Sequence, residues 1–198
     1  MQIVSRIYDD YTQAKHVVRD LEDAGFPQSN ISIIGREVAE HDTNAGEGAA
    51  AGAGLGAAVG GAGGLLAGLG LVAIPGLGPV VAAGWLAATL TGAVAGAAVG
   101  GAAGGLIGSF THAGINEDEA HVYAEAVRRG STVVSVQVEE HEVLRVREIM
   151  NKPSSVDVEN RREYYRQQGW VGFDPESPEY TKEQIDEERA RIHSNLNV

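Results

Sequence analysis

Not one cysteine occurs among the 198 residues of this chain. Disulfides, thiolate metal sites and cysteine nucleophiles are thereby excluded. Charge is missing locally as well: from Gly48 to Asn116 there is no Asp, Glu, Lys or Arg. Net positive charge is absent overall, with 15 Lys and Arg against 27 Asp and Glu and a formal net charge of −12. Phosphate recognition needs clustered cations, so nucleic acid is excluded as a partner. The same balance weighs against docking onto anionic lipid by charge alone. The first residues, MQIVSRIYDD, lack the basic stretch and apolar run of a secretory signal, which points to the compartment of synthesis.

Catalytic motifs are lacking too. Gly46 to Ala51 superficially matches a dinucleotide fingerprint, but it does not sit directly between a strand and a helix. The acidic residue expected about twenty positions later would fall in the uncharged block. No Gly-Lys-Ser/Thr follows, so the phosphate-binding loop is ruled out. The histidines (His16, His41, His112, His121, His141 and His193) are scattered, without an HExxH or a second ligand pair. The expectation is a non-enzymatic protein with no cofactor, no metal and no small-molecule substrate.

What the chain does have is glycine at a spacing of four. One series is Gly48, Gly52, Gly56, Gly60, Gly64 and Gly68; the other is Gly92, Gly96, Gly100, Gly104 and Gly108, extended back through Ala88 to Gly84. A period of four keeps one face of an α-helix, so each series draws a stripe of bare backbone. Six glycines oppose a helix by about 5 kcal/mol relative to alanine. Such a stripe persists only where another backbone packs closely against it. Pro75, Gly76, Gly78 and Pro79 break the block into two arms joined by a turn. Helical arms of this length would each cross a hydrocarbon core of about 30 Å, and small-xxx-small stripes recur between membrane helices. Acidic flanks and an apolar turn argue instead for a shallow hairpin, or for one buried among copies of itself.

On either side the periodicities change. Residues 2–7 read as a strand, Asp10 caps a helix through Ala24, and ISIIG at 31–35 reads as a second strand. Asn116 opens another helix ending at Gly130, TVVSVQV at 132–138 alternates as a strand, a helix covers about 140–151, and 154–158 is a last edge strand. The predicted fold is α+β: a ferredoxin-like split βαβ headpiece, four antiparallel strands with helices on one face, formed by 1–44 and 115–160. Residues 45–114 are the inserted Gly/Ala-rich helical hairpin. Residues 161–198 are a Pro-punctuated tail with a helix capped by Thr181, in which Tyr164, Tyr165, Trp170, Phe173 and Tyr180 are candidate anchors.

The segment DDYTQAKHVVRDLEDAGFPQSNISIIG resembles the bacterial YflT-like general stress protein domain, and GINEDEAHVYAEAVRRGSTVVSV with the glycine-rich stretch is similar to its heat-induced members. The resemblance implies a stress-response role and supplies no catalytic or ligand residues. The expectation is therefore a stress protein that self-assembles through a glycine zipper, with itself and membrane lipid as partners, at the cytoplasmic side of the inner membrane or in the cytoplasm. The alternatives are a soluble homo-oligomer or filament with the hairpins in its core, and a small-ligand-binding regulatory module on the ferredoxin-like sheet.

Overall fold

The computed structural model describes residues 1–36, 65, 69–74, 76–96, 101–152 and 155–195; of residues 71–73, 91–96, 101–104 and 193–195 it describes the backbone alone. The chain begins with β1 (Gln2–Tyr8), α1 (Tyr11–Asp23) and β2 (Ile31–Gly35). Asp10 caps α1, its carboxylate accepting from the backbone N–H groups of Thr12 and Gln13. After the glycine-rich stretch begins, β3 (Gly70–Ile74) and β4 (Gly78–Gly84) form a β-hairpin. Two helices follow, α2 (Trp85–Gly96) and α3 (Gly101–His112), then α4 (Glu117–Arg128), capped by Asn116. The chain closes with β5 (Thr132–Val138), α5 (Val143–Met150), β6 (Ser155–Val156), α6 (Val158–Gln167) and α7 (Lys182–Asn195).

The strands form one sheet in the order β3-β4-β2-β5-β1-β6, with every neighbouring pair antiparallel. β1 and β2 therefore run parallel with β5 between them. Register places Ile7 opposite Val133, Val133 opposite Ile34 and Ile34 opposite Ala82. This row faces α2, α3, α4 and α6, where Leu86, Leu90, Leu106, Phe110, Val127 and Tyr165 are buried against it. The opposite face carries Val4, Ile33, Val134 and Val136 under α1 and α5, which contribute Val17, Leu21, Val146 and Met150. Alternation along each strand separates the two sets, and each fully buried Leu, Ile or Phe stabilises the fold by about 1.5–3 kcal/mol.

Three expectations are corrected. The sheet has six strands among the described residues rather than four, because β3 and β4 extend it beyond β2. Helices cover both of its faces rather than one. The turn expected near Pro75 does occur, with Leu77 N–H donating to the Ile74 carbonyl at 3.0 Å, but it joins strands, not long helices. The physical reason is that β4 satisfies its backbone on the edge of β2, while its β-branched Val80 and Val81 suit a pleated strand better than a helix. Gly84 accordingly ends a strand instead of marking a helical stripe. Its φ of +81° and the approach of the Ile31 carbonyl, which a Cβ would strike, admit only glycine at this strand-to-helix corner. Among the described residues, the remainder of the second arm contains two helices of 12 residues each, about 18 Å apiece. No described helix is long and apolar enough to cross a membrane.

Candidate functional site

The ends of β1 and β2, the start of β5 and the tip of the β3–β4 hairpin meet at one end of the sheet. There the charges absent from the glycine-rich stretch are concentrated and buried. Asp9, just beyond β1, accepts from Ser131 Oγ at 2.7 Å and pairs with Arg161 Nη2 of α6 at 2.5 Å. Glu125, on α4 and fully buried, pairs with Arg128 Nη2 at 2.7 Å and Arg129 Nε at 2.6 Å. The spacing explains the geometry, since positions three and four apart share a helix face. Arg129 Nη1 reaches further, to Gln168 Oε1 at 2.5 Å and to Glu188 Oε1 of α7 at 3.1 Å. Asp9, Glu125 and Glu188 thus face buried Arg128, Arg129 and Arg161, and the exposed Arg191 also pairs with Glu188 at 3.4 Å.

Aromatic rings fill the space between these groups. The Arg129 guanidinium lies 4.2 Å from the Tyr165 ring centroid, and Tyr165 sits 5.8 Å from both Tyr164 and Trp170. Arg128 lies near the rings of Phe173 and Tyr180, at 5.4 and 5.7 Å. Burial works against the charged form of Arg129, but the adjacent Glu125 carboxylate outweighs it and holds the guanidinium above its ordinary pKa. Burial pushes the Tyr165 phenol well up, against the opposing pull of Arg161 and Arg129.

Every carboxylate here is engaged by an arginine, so the arrangement works as an ionic and aromatic clasp joining α6, α7 and the segment between them to the sheet. No group of three His, Asp or Glu side chains able to hold a metal occurs among the described residues.

Tyr8 and Tyr165 make a test pair for how polar atoms are treated in this interior. Tyr8 Oη donates to the Met150 carbonyl at 2.7 Å, whereas Tyr165 Oη has no hydrogen-bond partner among the described residues. Tyr8→Phe is expected to cost about 1–2 kcal/mol in chemical denaturation, and Tyr165→Phe less than about 0.5 kcal/mol. Equal losses in the two variants would contradict these assignments.

The strand, capped helix and strand that open the chain, β1 to β2, fall almost wholly within the part of the chain that matches a known family. Residues 4–72 match the heat induced stress protein YflT domain. No curated protein and no solved structure matches the chain. The YflT domain match spans β1, α1, β2 and the first part of β3, and it supplies Asp9 and Arg36 to the sheet end; the arginines and carboxylates that complete the clasp come from beyond it.

Of the aromatic candidates in the tail, Tyr165 and Phe173 are buried in the core beside the YflT strands, Tyr164 and Trp170 pack partly buried against it, and Tyr180 is half-buried. Gly48, Gly52, Gly56, Gly60, Gly64, Gly68 and Gly100, with Pro75, lie outside the described residues. Gly92 and Gly96 are on α2, Gly104 and Gly108 on α3, while Gly76 and Gly78 flank the β3–β4 turn with Pro79 in β4. Sequence reasoning did not single out Arg128, Arg129 or Arg161; it placed Glu125 only on a helix face with His121, without a metal-ligand pattern, and read Glu188, within Asp186-Glu187-Glu188, as part of a solvated helix face. The available signal was an acid flanked by alanines, three and four residues before paired arginines, in the apolar second half of α4.

Proposed function

We propose that this protein is a non-enzymatic stress-response protein, a ferredoxin-like headpiece that self-associates through its glycine-rich stretch. The YflT domain supports the stress role. The observation that carries the association is on α3. Leu106 and Phe110 are fully buried in the protein's own core, while Gly108, two residues from each, points the other way on the helix. A Cβ built at Gly108 meets nothing within 4 Å. Gly108 is therefore not packed against the chain's own described residues, and in this reading close packing against a second copy offsets the cost of the stripe's glycines. Both sheet faces are covered by helices, which leaves the ligand-module alternative without an open sheet surface.

Gly108→Leu adds its side chain to open space, so the fold is expected to survive while assembly is lost. Mass photometry is expected to show the variant at a smaller species than the wild type, as for Gly56→Leu in the first series. If both variants keep the wild-type size, self-association through the stripe is wrong. The uncharged stretch from Gly48 to Asn116 supports lipid association as the second reading. Carbonate washing of membranes decides it: release into the soluble fraction without detergent removes lipid from the account.

A further inference from the structure

We propose that the outer edge of β3 docks a second copy of this chain, the two β3 strands pairing antiparallel across a twofold axis so that their sheets continue into one. The inference shares with the self-association reading only the identity of the partner, and it uses a different surface from the glycine stripe. β3 stands at one end of the sheet and pairs with β4 alone, along its whole length from Gly70 opposite Ala82 to Ile74 opposite Gly78. Alternate residues of such a strand turn N–H and C=O groups away from their one neighbour, which makes the edge a template for a further strand. Among the described residues none pairs with that side. Leu65 and Leu69, on the approach to β3, pack on the sheet face under α1 and α5, and Leu65 N–H donates to Glu22 Oε1 of α1 at 2.5 Å.

The two ends of the sheet are treated differently. At the far end β6 has only two residues, and it covers Ile7 and Tyr8 of β1. Next to them Arg6 lies along the edge of β1, its Nη1 donating to the Ser5 carbonyl at 3.4 Å and to Asp157 Oδ2 at 2.9 Å. A very short strand and a charged side chain are means by which proteins close a sheet edge to other chains. β3 has neither: GLVAI is a five-residue strand without charge or proline.

The absence of charge selects the occupant. Copies of a chain with a formal net charge of −12 repel one another over most of their surface. β3 lies inside Gly48–Asn116, where neither copy brings Asp, Glu, Lys or Arg. Antiparallel pairing of a strand with itself sets like residues near one another, which an uncharged strand permits and a charged one opposes. With the β6 end protected, the contact uses the same edge on both copies and closes at two.

Single cysteines at Leu71, Val72 and Ala73 test this in the full chain, where no native cysteine competes. A twofold axis sets one residue of β3 opposite its own copy, at the Cα separation of about 4.5–5.5 Å that a disulfide spans, while its sequence neighbours face the other side of the sheet. Mild oxidation is expected to give covalent dimer from one of the three positions, about tenfold more than from the other two on a non-reducing gel. Gly70→Lys puts a charge on the edge without disturbing the fold, since a Cβ there has only the Ala82 carbonyl oxygen near it, at 3.9 Å. It is expected to keep the wild-type urea midpoint and to weaken dimerisation about tenfold in sedimentation equilibrium. Covalent dimer from none of the three cysteines, or from all alike, overturns the edge contact; association through the stripe then stands if Gly108→Leu still lowers the wild-type size. One cross-linking position with no effect of Gly108→Leu keeps the edge contact and removes the stripe.

Discussion

Replacing Glu125 by alanine is expected to destabilise the protein by about 3–5 kcal/mol, because it strands buried arginine charge. Glu125 is fully buried and engages two guanidinium groups, those of Arg128 and Arg129, at 2.7 and 2.6 Å. Arg129 would keep Glu188, at 3.1 Å, but Arg128 has no second carboxylate among the pairs formed here. Glu125→Gln keeps the shape and loses the charge, so an intermediate loss is expected from it. Replacing Glu125, Arg128 and Arg129 together by apolar residues of similar volume is expected to recover much of the stability, since desolvating the charges disappears along with their attraction. Urea denaturation with linear extrapolation measures all three. A loss below about 1 kcal/mol for Glu125→Ala would mean that the cluster behaves as a solvated surface pair and not as a buried one.

Raising the pH beyond about 10 is expected to remove stability steeply, because burial pushes the phenols of Tyr8, Tyr123 and Tyr165 above their ordinary value of 10.0. At lower pH both the folded and the unfolded chain hold these protons, and their contribution is complete. As the pH rises past the unfolded value, the unfolded chain releases protons that the folded chain keeps, and the balance shifts toward unfolding. Each such tyrosine removes about 1.4 kcal/mol per pH unit in this window, so three together remove about 4 kcal/mol per unit. Glu119, also raised by burial, acts in the same direction at much lower pH. Unfolding free energies measured at about pH 9 and about pH 11 test the slope, and Tyr165→Phe is expected to reduce it by about a third. A flat profile between those values would show that the three rings are solvated in the native state.

Elements whose cause is local were readable in the amino-acid order. Asp10 before a run of apolar residues at helical spacing, and the strict alternation of TVVSVQV, each describe a structure that needs no distant partner to be recognised. β3 and β4 were not readable in this way. GLVAI and GPVVAAG are apolar in every register, so neither a period of two nor a period of 3.6 stands out, and the flanking glycines suggested a continuous helical stripe. What makes them strands is the edge of β2, a partner more than forty residues away in sequence. The clasp was hidden for a related reason. Glu125, Arg128 and Arg129 look like a solvated helix face until α6 and α7 cover them, and nothing within α4 announces that covering. The aromatic residues of the tail stood out because Tyr, Trp and Phe are favoured anchors at interfaces; Tyr165 and Phe173 lie in the chain's own core.

The strand order also dictates a timetable for synthesis. β1 pairs only with β5 and β6, and β2 only with β4 and β5. The two strands matched by the YflT domain are therefore not neighbours of each other: β2 gains its first neighbour when β4 emerges from within the glycine-rich stretch, and β1 has none until the ribosome has passed it. At about 5–20 residues per second, β1 waits on the order of ten seconds for β5. Throughout that interval Val4, Ile7, Ile31 and Ile33 have emerged without the sheet that buries them. Apolar strand surface is thus without its native cover for much of the chain's production, until Val138 completes β5.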